Sequence, residues 1–201
     1  MSDHYFAAEP ASAEERREIN LSLGGRRVTV ETAAGVFSAD RLDPGTAVLL
    51  GHVPPPPPYG TFVDLGCGWG PIALDLALQS PEGRVVAVDV NERARDLTAR
   101  NAARLGLQNI TVLEPADALS VLGPGSVDLL RSNPPIRIGK PALHELLATW
   151  FGRLAVDGRA ELVVAKNLGS DSLQRWIGSE LGLTCERVAS SKGFRVFGVT
   201  R

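Results

Sequence analysis

Short apolar segments that are typical of β-strands alternate with helix-forming stretches from residue 61 onward in this 201-residue chain. The segments are TFVDL (61–65), RVVAVDV (84–90), NITVLE (109–114), SVDLLRS (126–132) and RAELVVA (159–165). Strands that alternate with helices predict parallel pairing, because each helix returns the chain to the edge where the next strand starts. A final pair, LTCERVAS (183–190) and GFRVFGVT (193–200), is separated by a short turn and should pair antiparallel. We therefore expect an α/β protein with a doubly wound, Rossmann-like sheet.

The clearest helix is predicted at about residues 141–155, where large apolar residues recur three and four positions apart. This stripe consists of Leu143, Leu146, Leu147, Trp150, Phe151 and Leu154. Residues at this spacing lie on one face of a helix, so the stripe should pack on the sheet. His144 falls off the stripe and should be exposed.

Residues 1–60 precede the alternating pattern and should form an N-terminal extension that packs on a core domain of residues 61–201. The first 20 or so residues are polar and should be loosely held. Alternating polar and apolar residues with a turn at their middle predict a β-hairpin over residues 26–38.

Asp43 and Pro44 lie near the start of the sequence LDPGTAVLLGH and are typical of a helix start, so a short helix should follow them. The proline run VPPPPPY (53–59) comes next. It predicts a stiff polyproline II connector to the core, because proline fixes φ and donates no hydrogen bond. A docking motif for a proline-reading partner is the less favoured alternative.

The composition narrows the class of protein. Hydrophobic residues make up 44% and charged residues 22%, which is typical of a globular domain. The net charge of −2 gives no overall attraction to nucleic acid, so an RNA contact would need a local basic patch. Two cysteines and no metal-ligand spacing favour a reduced, cytoplasmic compartment and no metal site. We expect neither a secretory signal nor a membrane span, because no apolar run is long enough.

The glycine-rich sequence VDLGCGWGPIAL joins the first core strand to its helix. Gly66, Gly68 and Gly70 would let the backbone approach a ligand where a Cβ atom would collide, although a tight structural turn would also need glycine. The second core strand ends in Asp89, about twenty residues further on, where related folds place an acid that binds ribose hydroxyls. A ribose-containing cofactor is therefore expected here.

Asp64 lies two residues before the first glycine and constrains the choice of cofactor. A carboxylate at the mouth of the loop would repel the pyrophosphate of a dinucleotide, and the loop is also shorter than the usual dinucleotide motif. The same carboxylate would attract the ammonium group of a methionine moiety. S-adenosylmethionine is therefore the favoured cofactor over a nicotinamide dinucleotide.

Asp117 and Ala118 follow the third core strand in the sequence EPADAL. The Asp117 carboxylate could accept from the adenine amino group while the Ala118 N–H donates to the ring. A helix N-cap by Asp117 is an equal alternative. Cys67, inside the glycine loop, should be a small buried residue rather than a nucleophile, because no histidine or basic group is near it in sequence.

The fourth core strand ends in RSNPP, at the edge of the sheet where open α/β folds bind ligands. The exocyclic amine of a base, or a glutamine amide, is a poor nucleophile because its lone pair is delocalised. The side-chain oxygen of Asn133 and the carbonyl of Pro134 could accept its hydrogens and favour the positive charge that nitrogen gains during methylation. Pro134 and Pro135 would hold these acceptors still. A strand ended by prolines and an Asx turn is the alternative.

Together, DLGCGWG, VDV, SNPPI and the N-terminal GVFS…LDPGTAVLL resemble the small-domain class I methyltransferases. They are similar to the catalytic domain of bacterial guanine-N2 methyltransferases that act on small-subunit ribosomal RNA, from about His4 to Arg201. The resemblance implies a seven-stranded sheet with its last strand antiparallel. It also implies S-adenosylmethionine as cofactor, with contacts at the glycine loop, Asp89, Asp117 and Asn133.

Two differences from this family bear on the substrate. Many relatives carry an aromatic residue after Asn-Pro-Pro that stacks on the target base, whereas this chain has Ile136, followed by Arg137. Base stacking would then fall to Phe37 of GVFS or to Phe6, while Ile136 and Arg137 are still expected to contact the substrate. Relatives that modify ribosomal RNA often carry an extra N-terminal domain for recognition, and only about 60 residues precede the core here.

The predicted function is N-methylation of an exocyclic amine of a base in RNA, and the resemblance favours guanine N2 of ribosomal RNA, free or in a particle. Candidate phosphate contacts are Arg131, Arg137, Lys140, Lys192 and Arg195, with ordinary solvated charges as the alternative. A protein glutamine N5-methyltransferase and a cofactor-binding regulator without catalysis are the two other functions considered. The sequence leaves the oligomeric state open.

Overall fold

The computed structural model describes residues 15–201, which form a seven-stranded sheet, flanking helices and a separate two-stranded hairpin. The elements in chain order are β1 Arg16–Leu23, β2 Arg26–Ala33, α1 Pro44–His52, β3 Tyr59–Leu65, α2 Pro71–Gln79, β4 Glu82–Val88, α3 Glu92–Arg104, β5 Ile110–Leu113, α4 Pro115–Val121, β6 Val127–Ser132, α5 Lys140–Phe151, β7 Leu154–Ala165, α6 Ser170–Leu181, β8 Thr184–Ser191 and β9 Phe194–Thr200. Short 3-10 turns lie at Ile136–Ile138 and Lys166–Leu168.

The sheet has the strand order β5-β4-β3-β6-β7-β9-β8. Neighbours from β5 to β7 are parallel, whereas β9 runs antiparallel to both β7 and β8. This confirms the predicted α/β fold and its antiparallel last strand. From β3 the chain adds β4 and β5 on one side of the sheet and then β6 and β7 on the other, so the order reverses between β3 and β6. Because these strands are parallel, their carboxyl ends lie at the same edge of the sheet. Ligands of open α/β sheets bind at such a reversal.

Both faces of the sheet are covered, which explains why the central strands are apolar almost throughout. Successive residues of a strand point to opposite faces. Val63 of β3 therefore packs in a cluster with Trp150 of α5, while its neighbour Phe62 packs in another with Leu49 of α1 and Ile72 of α2. No helix within residues 15–201 is long and apolar enough to cross a membrane.

The N-terminal hairpin differs from the predicted one in position. β1 pairs with β2 through a turn at Gly24 and Gly25, both with positive φ, so residues 26–33 supply only the second strand. The prediction of a hairpin over residues 26–38 was wrong. The prediction that the first 20 or so residues are loosely held was also wrong for those that belong to β1. The sequence INLSLGGRRVTV carries the correct signal, because two alternating stretches flank Gly-Gly.

Two helices that position the site begin and end close to their predicted limits. α1 starts after Asp43, whose side chain accepts a hydrogen bond from the Thr46 N–H at 2.9 Å, which confirms the predicted helix start. α5 buries most of its predicted stripe, but Leu154 begins β7 instead. His144 is half-buried and stacks on Trp176 with ring centroids 3.8 Å apart, so its predicted full exposure was wrong.

Candidate active site

A cleft opens at the carboxyl ends of β3 and β6, the two neighbouring strands between which the strand order reverses. The residues that line it come from the N-terminal segment, the glycine loop and the end of β6: Phe37, Ser38, Asp43, Thr46, Gly66, Cys67, Gly68, Trp69, Pro71, Ile72 and Asn133. Two predicted glycines, the predicted asparagine and one predicted stacking residue therefore share one cleft. Cys67 is buried, as predicted, and burial raises the pKa of its thiol well above the ordinary range.

The glycine loop is shaped by left-handed backbone conformations at Gly66, Gly68 and Gly70, with φ of 79°, 58° and 95°. Apart from its own chain neighbours, a Cβ atom added at Gly66 or Gly68 would meet no atom of residues 15–201 within 4 Å. The space beside these two residues is therefore open for a ligand to approach the backbone closely. Gly70 has a different role, because a Cβ atom there would lie 3.0 Å from Thr98.

The loop has few free donors for an anion. The N–H groups of Gly66 and Cys67 donate to the Val88 carbonyl, and that of Gly68 donates to the Asp89 carboxylate. At the start of α2, Pro71 has no N–H. These bonds consume the donors that a dinucleotide pyrophosphate would use. The loop therefore fits a cofactor without a pyrophosphate, as the sequence predicted.

Asp89 lies at the end of β4 with both carboxylate oxygens anchored. Oδ2 accepts from the Gly68 N–H and Oδ1 accepts from the Asn91 N–H, both at 2.9 Å. Burial raises the pKa of this carboxyl, and the two N–H groups oppose that shift. Each oxygen keeps a lone pair for a further donor. The carboxylate is thus rigidly held beside the glycine loop and fits a pair of ribose hydroxyls.

Asp64 is fully buried at the end of β3, beneath the loop. Its Oδ2 accepts from the Ala73 N–H at 2.9 Å, while its Oδ1 is buried without a partner among the described residues. Burial raises the pKa of Asp64 to about 8; the Ala73 N–H opposes this shift and the Asp89 charge adds to it. A buried carboxyl oxygen without a donor fits a nearby cationic group, directly or through a water molecule.

Asp117 is exposed in the first turn of α4, and the N-cap of this helix is Glu114 rather than Asp117. The Ala118 N–H donates to the Glu114 carbonyl at 3.0 Å, so its predicted role as a donor to adenine was wrong. N–H groups of Ala116 and Asp117 lie earlier in the turn, where an α-helix supplies no partner. Val90 was missed by the sequence analysis: it follows Asp89 directly and is exposed although apolar.

Asn133, Pro134 and Pro135 continue directly from β6. The Ser132 hydroxyl donates to the Leu65 carbonyl at 2.6 Å, which fixes the end of β6 to the end of β3. The Ile136 N–H donates to the Pro134 carbonyl at 2.8 Å around Pro135, with φ −74° and ψ 71°. These angles define an inverse γ-turn. The prolines therefore form a rigid turn, and the Pro134 carbonyl keeps one lone pair for another donor.

The segment that carries Phe37 is fixed to the loops of the glycine motif and β4. Trp69 Nε1 donates to the Ser38 carbonyl, Asn91 Nδ2 to the Gly35 carbonyl and Arg93 Nη1 to the Ala34 carbonyl. Phe37 remains 44% exposed at the cleft, which suits a base-stacking surface. Phe6, the other stacking candidate, lies outside the described residues.

The residues after the prolines turn away from this cleft. Ile136 lies in a 3-10 turn and lines a second cavity with Leu143 and Leu173, between α5 and α6, so its contact with the substrate stays a prediction. The tight γ-turn redirects the chain toward the apolar core there. Arg137, which follows, is exposed at the same edge of the sheet.

The predicted phosphate contacts divide into two groups. Arg131 is only 1% exposed and forms buried ion pairs with Glu161 and Asp75, so its predicted contact with RNA was wrong. Arg195 is paired with Asp171. The exposed cations at the carboxyl edge are Arg137, Lys140, Lys192 and Lys166, the last of which the sequence analysis missed.

This fold and this cleft are those of an open α/β protein that binds a ligand at a reversal in strand order, with the side chain of Asn133 beside the glycine loop. The model of the methyltransferase small domain family matches residues 27–198. The chain therefore belongs to that family and is a methyltransferase that uses S-adenosylmethionine, as the sequence resemblance implied.

Three similar proteins illustrate the range of its relatives. The uncharacterized protein YbxB of Bacillus subtilis (strain 168) is 30% identical over 172 residues, 86% of each chain. Ribosomal RNA small subunit methyltransferase C of Pseudomonas entomophila (strain L48) is 34% identical over 99% of this chain, which spans 58% of that protein. The structure of a T. thermophilus 16S rRNA N2 methyltransferase with AdoMet and guanosine has a TM-score of 0.74 at 21% identity, over 92% of this chain and 50% of that one.

Proposed function

We propose that this protein transfers a methyl group from S-adenosylmethionine to an exocyclic amine of a base in RNA, with guanine N2 of ribosomal RNA as the target. One observation carries the proposal: the amide of Asn133 opens on the same cleft as Gly66 and Gly68. An oriented acceptor is thereby next to the space that a nucleoside cofactor fits. The names of relatives that match nearly this whole chain support ribosomal RNA as the substrate, and the choice of N2 follows the name of the T. thermophilus methyltransferase.

The cofactor roles follow from the chemistry of the site. Asp89 would accept from the two ribose hydroxyls, and Gly66 and Gly68 would allow close approach of the backbone. The buried Oδ1 of Asp64 would balance the ammonium charge of the methionine moiety. Val90 would cover one face of adenine, and the first turn of α4, with Asp117, would bind its edge.

The methyl transfer itself needs an acceptor for the amine hydrogens. S-adenosylmethionine supplies the methyl carbon: a nitrogen–carbon bond forms as the carbon–sulfur bond breaks, and the amine then loses a proton to solvent. Asn133 Oδ1 and the free lone pair of the Pro134 carbonyl would each accept one amine hydrogen, which favours the positive charge that nitrogen gains. The rigid turn at Pro135 would limit motion of both acceptors.

The substrate side of the cleft supports RNA. Phe37 is 44% exposed at the cleft and would be the aromatic contact of a base, and the four exposed cations at the carboxyl edge could bind flanking phosphates. The chain spans about half to three fifths of the ribosomal RNA methyltransferases named above. Those proteins thus contain further sequence that this chain does not match.

The test compares ribosomal RNA from cells with and without the gene by mass mapping of modified nucleosides. Loss of one N2-methylguanosine, restored by the intact gene but not by an Asn133→Ala version, is expected. Purified small ribosomal subunits from the deletion strain should then accept tritiated methyl groups from the cofactor in vitro. Unchanged nucleoside maps in both ribosomal RNAs would contradict the proposal.

The same experiment distinguishes the other functions considered. Label that enters protein and is recovered as N5-methylglutamine would identify a protein glutamine methyltransferase. Cofactor binding without transfer to RNA or protein would identify a regulator. We infer a cytoplasmic location, because the proposed substrate is found there.

A further inference from the structure

The side chain of Asn133 is held by the N-terminal cap of α1, a helix that lies 90 residues away in sequence. Asn133 Nδ2 is 2.8 Å from Asp43 Oδ2 and 3.2 Å from Thr46 Oγ1. An ionised carboxylate only accepts hydrogen bonds, so the amide atom that faces Asp43 must be the nitrogen. Asp43 therefore determines which way the Asn133 amide points.

The opposite end of that amide is consequently directed away from α1. The Oδ1 atom of Asn133 has no hydrogen bond among residues 15–201, and the residue lines the cleft with Gly66 and Gly68. A planar amide that donates through nitrogen at one side presents its oxygen at the other. The bond to Asp43 thus leaves an acceptor in the cleft, where methylation would need one.

Asp43 itself is held in place. Its Oδ2 also accepts from the Thr46 N–H at 2.9 Å, and a Cβ atom at Gly45 would lie only 2.9 Å from that oxygen. Thr46 is buried. The same oxygen therefore serves two bonds: one caps α1, and the other fixes Asn133 and contributes nothing to the cap.

The far end of α1 is held by the same strand. Arg131, two residues before Asn133, donates from Nη2 to the Pro54 carbonyl at 2.7 Å, just beyond the end of the helix. The Arg131 guanidinium is itself fixed by its buried ion pair with Glu161. Side chains from the end of β6 thus hold both ends of α1, so Asp43 has little freedom to leave Asn133.

We propose that Asp43 and Thr46 are positioning residues that orient the Asn133 amide, so that its oxygen accepts from the amine that is methylated. The inference rests on the proposed N-methylation. A carboxylate bonded to the amide N–H group also makes the amide oxygen a stronger acceptor, because linked hydrogen bonds polarise one another. Without Asp43 the amide could turn over and present its own hydrogens to the amine.

The first test is Asp43→Asn, which keeps a good helix-capping residue but loses the charge and can itself donate. The rate of methyl transfer to small ribosomal subunits from the deletion strain, at saturating substrate, should fall by about tenfold or more. KM and the cofactor Kd should change much less than the rate does, because Asp43, although it lines the same cleft, has its Oδ2 bonded to Asn133 and to the start of α1. Asp40→Asn is the matched control, because Asp40 lies in the same segment but pairs with Arg17 at the surface.

The second test exchanges the two side chains. Asn133→Asp alone would place two carboxylates together and should lower the rate by about a hundredfold. Adding Asp43→Asn to that variant restores a donor and an acceptor in reversed positions. The double variant should therefore be at least about tenfold faster than Asn133→Asp alone. A role in helix capping alone would not produce this rescue.

A third measurement needs no substrate. Urea unfolding of Asp43→Asn, Asn133→Ala and the double variant forms a thermodynamic cycle. The double variant's unfolding equilibrium constant should differ by about threefold or more from the value obtained by multiplying the effects of the two single substitutions. A difference of this kind is expected for one hydrogen bond to a charged group. Multiplicative constants would overturn the proposed pairing.

The outcomes separate this inference from the proposed function. Wild-type transfer to a protein glutamine, with the same loss and rescue, would support the positioning role and refute the RNA substrate. Wild-type transfer to RNA, with a normal rate for Asp43→Asn and no rescue by the exchange, would overturn the positioning role alone. No transfer to either substrate would overturn both.

Discussion

Binding of S-adenosylmethionine should release a proton from Asp64. This carboxyl is fully buried, its Oδ1 has no partner among residues 15–201, and burial raises its pKa to about 8. Only about one molecule in ten would therefore be ionised at pH 7 before the cofactor binds. The ammonium of the cofactor favours the ionised form once it lies close to the carboxyl.

The size of the effect follows from the strength of such pairs. A neighbouring opposite charge would lower the pKa of Asp64 to about 5 to 7, so binding at pH 7 should release about 0.4 to 0.9 of a proton. Affinity should accordingly tighten as the pH rises from 6 to 7, by up to about tenfold. The range ends at pH 7 because the cofactor's own α-amino group begins to lose its proton near pH 8.

Calorimetric titrations in phosphate and in Tris at pH 7 measure this directly, because the two buffers take up protons with different enthalpies. The observed binding enthalpies should differ by the number of protons released per cofactor bound, multiplied by the difference between the protonation enthalpies of the two buffers. Asp64→Asn should abolish the difference and the pH dependence of affinity. 5′-Methylthioadenosine, which lacks the amino acid portion of the cofactor, should bind without proton release. Equal enthalpies in both buffers for the wild type would refute the reasoning.

Four shorter predictions concern stability and binding. The folded chain keeps a proton on Asp64 that the unfolded chain loses between about pH 4 and 8, so stability to urea should fall as pH rises through that window, and less steeply in Asp64→Asn. Asp89→Ala should weaken cofactor binding by about tenfold or more in calorimetry, because each charge-assisted bond contributes about 1.5–3 kcal/mol; unchanged affinity would remove Asp89 from the site. Arg131→Leu should lower the unfolding free energy by about 3–5 kcal/mol, since buried Asp75 and Glu161 each lose a cationic partner and, among residues 15–201, only Glu161 keeps another, Arg159; a loss under 1 kcal/mol would contradict this. Reducing agent should leave the thermal midpoint unchanged, because Cys67 and Cys185 are free thiols.

The fold was largely predictable because each element carries its own local signal. The central strands are continuous apolar runs, and the cap residue Asp43 marks the start of α1 within one residue. The errors arose where a local pattern was assigned to the wrong partner. The alternating residues from 26 onward were read as both strands of a hairpin, whereas residues 26–33 form one strand that pairs with the preceding segment across Gly24 and Gly25.

The candidate site was predictable where one short motif contains both the turn and the functional group. The glycine loop and Asp89 are of this kind. Arg131 was assigned wrongly because sequence gives its charge but not its burial, and its acidic partners come from α2 and β7. Ala118 was assigned wrongly because its N–H donates to the Glu114 carbonyl within α4, and the sequence alone did not fix where that helix begins.

The link between LDPGT and SNPP illustrates what a sequence cannot supply. Each motif has a sufficient local explanation, Asp43 as a helix cap and Asn133 as an oriented amide, so neither implies the other. In the structure, one oxygen of the Asp43 carboxylate joins the two motifs, because it accepts hydrogen bonds both from the Thr46 N–H at the start of α1 and from Asn133 Nδ2. Phe37, before α1, also lines the cleft, and the carbonyl of Pro54, after α1, accepts a hydrogen bond from Arg131 of β6. The segment before residue 60 therefore contributes side chains to the site itself, and separating it from the core would leave the Asn133 amide without the acceptor that orients it.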